Sequence, residues 1–130
     1  MILSKDRGET YTVRPGEWHR FFNPSQTETI IWDAKVVPAH QGFEKMLYIY
    51  YGLVADGYGT PDGHPKSTYH ALMLVNMGEM SFAGIGGFVG KWVAKVIGVI
   101  ARWTGEEERL VRKYYGRPIT EEERRKWKIT

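Results

Sequence analysis

The chain contains no cysteine. Disulfides, thiolate zinc sites and cysteine nucleophiles are therefore excluded, and a reducing, cytoplasmic compartment is the expected location. No signal peptide is expected, because Met1-Ile2-Leu3 is followed at once by Ser4-Lys5-Asp6-Arg7. Long apolar runs are lacking. The longest such stretch, 80–100, is broken by Gly84, Gly86, Gly87, Gly90, Lys91 and Lys95, which falls short of a transmembrane span. Charge of one sign is scarce: the net value is +3, and the basic surplus after Lys91 is interleaved with glutamate. No nucleic-acid partner is expected from such a mild excess. Phosphate-binding loops, dinucleotide fingerprints and a Ser-His-Asp arrangement do not occur. What the 130 residues do have is apolar material, 42% hydrophobic and 14% aromatic, enough for one domain with a modest core.

The pattern changes near Pro38. Before it the period is two. Residues 9–14 read as a strand, since Thr10, Tyr11, Thr12 and Val13 favour extended backbone. Residues 6–8 and Pro15-Gly16 read as turns. Residues 1–4 are a candidate partner strand, and 18–22 form another that Asn23-Pro24-Ser25 ends. In 28–37, Ile30, Trp32, Ala34 and Val36 alternate with Ile31, Asp33 and Lys35. Three or four short antiparallel strands result, too small a sheet to stand alone.

After Pro38 the period is helical. Phe43, Met46, Leu47, Tyr50 and Val54 share a face that ends at Asp56-Gly57. A Gly/Pro loop covers 58–66, and Ser67 caps a short helix to about Met77. Residues 88–103 read as a third helix stopped by Gly105, 106–115 as a charged helix, and Thr120-Glu121-Glu122-Glu123 as a capping box for a last one. The expected fold class is α+β: an N-terminal antiparallel sheet over 1–38, followed by a helical region over 39–130 that packs on it.

The most informative stretch is Gly8-Glu9-Thr10-Tyr11-Thr12-Val13-Arg14-Pro15-Gly16-Glu17-Trp18-His19-Arg20-Phe21-Phe22-Asn23. Pro15 fixes φ and Gly16 permits a sharp reversal between two strands. With Tyr11 and Val13 facing inward, His19 and Phe21 point into the same interior, and Asn23 closes the strand end through its side chain. This array resembles the second conserved motif of the cupin superfamily. Gly8, Gly16, His19 and Asn23 match its spacing, while Pro15 stands directly before Gly16 instead of two residues ahead. Downstream, Val36-Val37-Pro38-Ala39, Gly42-Phe43-Glu44, Tyr51-Gly52-Leu53-Val54-Ala55-Asp56-Gly57 and Ala71-Leu72-Met73-Leu74 are similar to single-domain cupins with a helical tail, of a kind associated with filamentous fungi.

The resemblance implies a partial jelly-roll barrel with its motif at 8–23, a ligand-binding interior of Tyr11, His19, Phe21 and Trp32, and a structural frame of Gly8, Pro15, Gly16 and Asn23. His19 is the one position that matches a cupin metal ligand. The earlier cupin motif, two histidines and a glutamate, has no counterpart before Gly8. A divalent metal therefore requires ligands from another chain or an upstream segment, because it needs several converging donors. Half a jelly roll leaves open edges. A homodimer, a partner chain supplying the remaining half, or a longer chain starting upstream of Met1 are the expected remedies. The implied function is that of a cupin-like small-molecule-binding protein, a relative of metal-dependent oxygenases or isomerases, with enzymatic activity left open. The first reading of His19 is an interior histidine with a hydrogen-bond partner, ahead of a metal or ligand contact.

Other features have plainer readings. His40, His64 and His70 show no ligand spacing and are expected in surface or packing roles. Tyr48, Tyr50, Tyr51, Tyr58 and Tyr69 are expected to pack rather than line a pocket. In 88–103, Lys91, Lys95 and Arg102 fall on one side, beside an apolar arc of Trp92, Val96, Val99, Ile100 and Trp103. A helix packed on its own domain with snorkelling lysines is the first reading. The alternative, of a different functional class, is a non-catalytic interaction module lying on an anionic membrane surface. Glu106-Glu107-Glu108 and Glu121-Glu122-Glu123 sit at helix starts, where the dipole favours them, and read as solvated faces.

Overall fold

The computed structural model describes residues 8–19, 23–30, 33–81, 85–118, 120–122 and 125, with the side chains at 85 and 86 outside the description. The chain divides into two compact units, Met1–Lys35 and Val36–Thr130.

In the first unit, no β-strand occurs among the described residues. Among the described residues, the antiparallel sheet expected over 1–38, and with it the jelly-roll half and the cupin barrel, is therefore corrected to irregular backbone with local turns, while the candidate strand 1–4 and residues 20–22 of the next lie outside the described residues. The physical reason is burial. Preference for extended structure in Thr, Tyr, Val and Ile measures how well they fit a half-buried pleated surface, and a short hairpin alone is marginal. None of the described residues of this unit is buried, and Tyr11, Trp18 and Ile30 are exposed. The turn chemistry survives without the sheet. Glu17 N–H donates to Arg14 O at 3.0 Å, and Gly16 has φ +79°. Proline then glycine at the two central positions is the pattern of a type II turn. Asn23 also closes a loop, accepting from Ser25 N–H at 3.0 Å through Oδ1 and donating to Glu28 O at 2.7 Å through Nδ2.

The second unit is helical. Helix α1, Gln41–Leu53, starts at His40, whose Nδ1 accepts from Phe43 N–H at 2.8 Å. It buries Met46, Ile49 and Leu53 at one-turn spacing and runs into a wide turn, Val54–Tyr58, where Gly57 at φ +84° breaks the helix. Helix α2, Thr68–Met77, is capped by Ser67, whose Oγ accepts from His70 N–H at 3.3 Å. Its end is a Schellman motif. Met80 N–H donates to Val75 O, Glu79 N–H donates to Asn76 O, and Glu79 takes the left-handed position at φ +51°. Helix α3, Ile85–Trp103, ends at Thr104-Gly105, and α4, Glu106–Tyr114, follows directly. These boundaries lie close to the expected ones. Of the last expected helix, Glu121, Glu122 and Arg125 have helical backbone, and the other residues of that segment after 122 lie outside the described set.

The core is shared by all four helices: Met46, Ile49 and Leu53 from α1, Met73 and Leu74 from α2, Ala101 from α3, Leu110 and Tyr114 from α4. Each large side chain withdrawn from water contributes about 1.5–3 kcal/mol. Helix α3 lies along α2, while α1 packs on α2 and α4. The helices of the second unit thus enclose a core of their own.

Candidate functional site

The residues expected to form a barrel interior are not gathered into one. Tyr11 is 45% exposed, and its hydroxyl donates to the Glu17 carboxylate. That bond raises the phenol pKa, while the Arg14 amide, at 3.0 Å, is the first cause that lowers that of Glu17. His19 is exposed on irregular backbone, with Nδ1 3.0 Å from Glu17 O. The interior position for His19 and Tyr11 is therefore corrected to a solvent-facing turn. Phe21 and Trp32 lie outside the described residues. Gly8 and Gly16 hold positive φ, as their turns require. No group of three or more metal-ligating side chains occurs among the described residues.

The histidines and acids of the second unit serve its own architecture. His40 caps α1, and His64 Nδ1 is hydrogen-bonded to the Tyr50 hydroxyl at 2.8 Å. His70 Nε2 donates to Glu106 Oε1 at 3.0 Å, and Arg109 holds both oxygens of the same carboxylate at 2.6 and 2.7 Å. The guanidinium, then His70, holds Glu106 well below the usual range, at about 2, against the opposing effect of burial. Asp56, in the wide turn, accepts from the Tyr114 hydroxyl at 2.9 Å and pairs with Lys113 at 2.7 Å and Arg117 at 3.3 Å. Lys113 lowers the Asp56 carboxyl pKa and is itself raised to about 12 by that carboxylate. The cluster pins the end of α1 to α4, and sequence spacing did not single it out, because Asp56 and Lys113 are far apart along the chain.

Helix α3 has one side covered by α2 and the other left exposed. Its buried side is made of small residues: Gly87, Ala94, Gly98 and Ala101, with Ile97 partly covered. Gly98 permits close approach to α2, since a Cβ there would stand 2.6 Å from Asn76 Cγ. The large apolar residues lie on the other side. Phe88, Val89, Trp92, Val93, Val96, Val99, Ile100 and Trp103 are all exposed, Phe88 at 72% and Trp103 at 94%. At 3.6 residues per turn they occupy about 140° of the circumference. Lys91, Lys95 and Arg102 run down one border of this arc, within a strip about 40° wide, and α3 contains no acidic residue. Lys95 Nζ lies 5.6 Å from the Trp92 ring centroid, a cation–π contact that keeps its aliphatic stem on the apolar arc.

The packing reading of this helix holds on one side only. The helix packs on its domain, but through glycine and alanine, and it presents its bulk outward. No helix among the described residues is long and apolar enough to cross a membrane. Comparison with protein-family models, curated proteins and solved structures finds no match.

Proposed function

We propose that this protein is a non-catalytic interaction module that docks on an anionic membrane surface through α3. The carrying observation is the outward face of that helix, eight exposed apolar side chains including two tryptophans, bordered by Lys91, Lys95 and Arg102. Helices that lie in the bilayer interface join such an apolar face to a basic border, the first entering the acyl boundary and the second meeting lipid phosphates. Tryptophan suits the interfacial depth because its ring is apolar and its N–H is polar. Charge complementarity selects the lipid: a border whose own helix carries cations and no acid favours an anionic leaflet. The cytoplasmic leaflet has that charge, which agrees with the compartment expected from the cysteine-free sequence.

The small-molecule reading depended on a barrel interior, and the described residues supply no barrel to support it. A second copy of the chain is the competing occupant of the same face.

Co-sedimentation with phosphatidylserine/phosphatidylcholine vesicles tests the proposal. Wild type is expected to bind at low salt, to weaken as salt screens the basic border, and to bind pure phosphatidylcholine poorly. The double variant Trp92→Ser, Trp103→Ser is expected to bind about tenfold or more weakly, from the lost apolar burial. A stable dimer that ignores vesicles would overturn the proposal in favour of self-pairing.

A further inference from the structure

Resting on the membrane reading, we infer that Glu107 acts as an internal competitor for Arg102 and so sets how strongly the α3 border responds to anionic lipid. Arg102 is the last cation of the border and the only one that α4 engages in an ion pair. Its Nη1 lies 3.7 Å from Glu107 Oε2, beyond hydrogen-bond reach. The guanidinium is therefore held by through-space attraction and retains all its donors. Glu107 Oε2 is enclosed and has no hydrogen-bond partner, so Arg102 is the nearest cation to a poorly satisfied carboxylate. Around them, Lys45, Arg102, Glu107, Glu108 and Val111 line an open hollow at the end of the helix.

A guanidinium prefers a phosphate that it can grip with two parallel N–H groups over a carboxylate it meets at a distance. Moving Arg102 to a lipid phosphate nonetheless strips Glu107 of its compensating charge, and that loss opposes docking. The neighbouring acids act differently. Glu106 is bound to Arg109 and His70, and Glu108 is paired with Arg112 on the same helix. Of the three, Glu107 is the one that forms an ion pair with the α3 border.

The test is a double-mutant cycle read by vesicle co-sedimentation. Glu107→Gln is expected to raise affinity for phosphatidylserine-containing vesicles about threefold to fivefold, the scale of one cation freed near an anionic surface. In the Arg102→Gln background the same substitution is expected to do nothing, and on pure phosphatidylcholine it is expected to do nothing in either background. Glu108→Gln is the control for bulk charge. An equal gain from Glu108→Gln, or a gain that persists without Arg102, would overturn the inference and assign the effect to net charge. Glu107→Ala replaces Glu107→Gln if circular dichroism shows that the amide disturbs α4. Failure of wild type to bind vesicles would sink the membrane reading itself, whereas wild-type binding that Glu107→Gln leaves unchanged sinks the competitor role alone.

Discussion

Gly52 occupies a crowded point of the core. The Tyr114 ring lies over it, and a Cβ at this position would stand 2.7 Å from both Cγ and Cε1 of that ring. The ring cannot withdraw, being 1% exposed and tied by its hydroxyl to Asp56 at 2.9 Å. Gly52→Ala is accordingly expected to lower stability by about 1–3 kcal/mol, although alanine is the better helix former. A urea midpoint equal to or above that of wild type would show that α1 and α4 tolerate a wider separation. At this scale the sequence was legible where chemistry is local. Pro15-Gly16 makes a turn whatever surrounds it, and Gly57 and Gly105 hold the positive φ their helix ends need. The direction of His19 was not legible, because it depends on which side of a sheet is buried, and no described residue there forms one.

Among the elements, α2 and α4 are joined by the Glu106 carboxylate, which His70 and Arg109 both contact. Its pKa falls from 4.5 in the reference state to about 2 in the folded protein. A depressed acid stabilises the fold above its unfolded pKa, and that stability is lost as pH falls through the folded value. Urea unfolding is thus expected to weaken between pH 4.5 and about 2. Glu106→Gln should cost about 1 kcal/mol at neutral pH, solvent screening the exposed Arg109, and should flatten the acid limb. An acid limb as steep as that of wild type would place the titration elsewhere. Helix starts and stops were readable because Ser67 and Gly105 are strong punctuators. The end of α2 was less so, since Glu79 carries no glycine signal yet takes the left-handed position. Strands were misread among the described residues for a different reason: alternation in 28–37 describes a face that wants burial, and its described residues form no strand where no neighbour supplies it. The two sides of α3 were recoverable in principle. Gly87, Ala94, Gly98 and Ala101 recur at spacings of seven, four and three, the signature of a close-packed seam, which leaves the bulky residues for the opposite side.

For the whole molecule, the balance of apolar surface has a consequence in solution. The arc on α3 is exposed in the isolated chain, so weak, concentration-dependent association is expected in the absence of lipid, with light scattering reporting a mass that rises above 15.0 kDa. Trp92→Ser with Trp103→Ser should restore the monomer mass, and vesicles should dissolve the association by competing for the same residues. Association that survives both treatments would assign it to another surface.

The glycine and alanine seam also fixes the rotational setting of α3. Swivelling the helix half a turn to hide its tryptophans would drive indole rings toward Asn76, where even a methyl group at Gly98 has no room. Rotation of α3 is therefore closed as a way to veil this surface while the seam against α2 holds. The two tryptophans keep their outward setting for as long as Gly98 stays against Asn76.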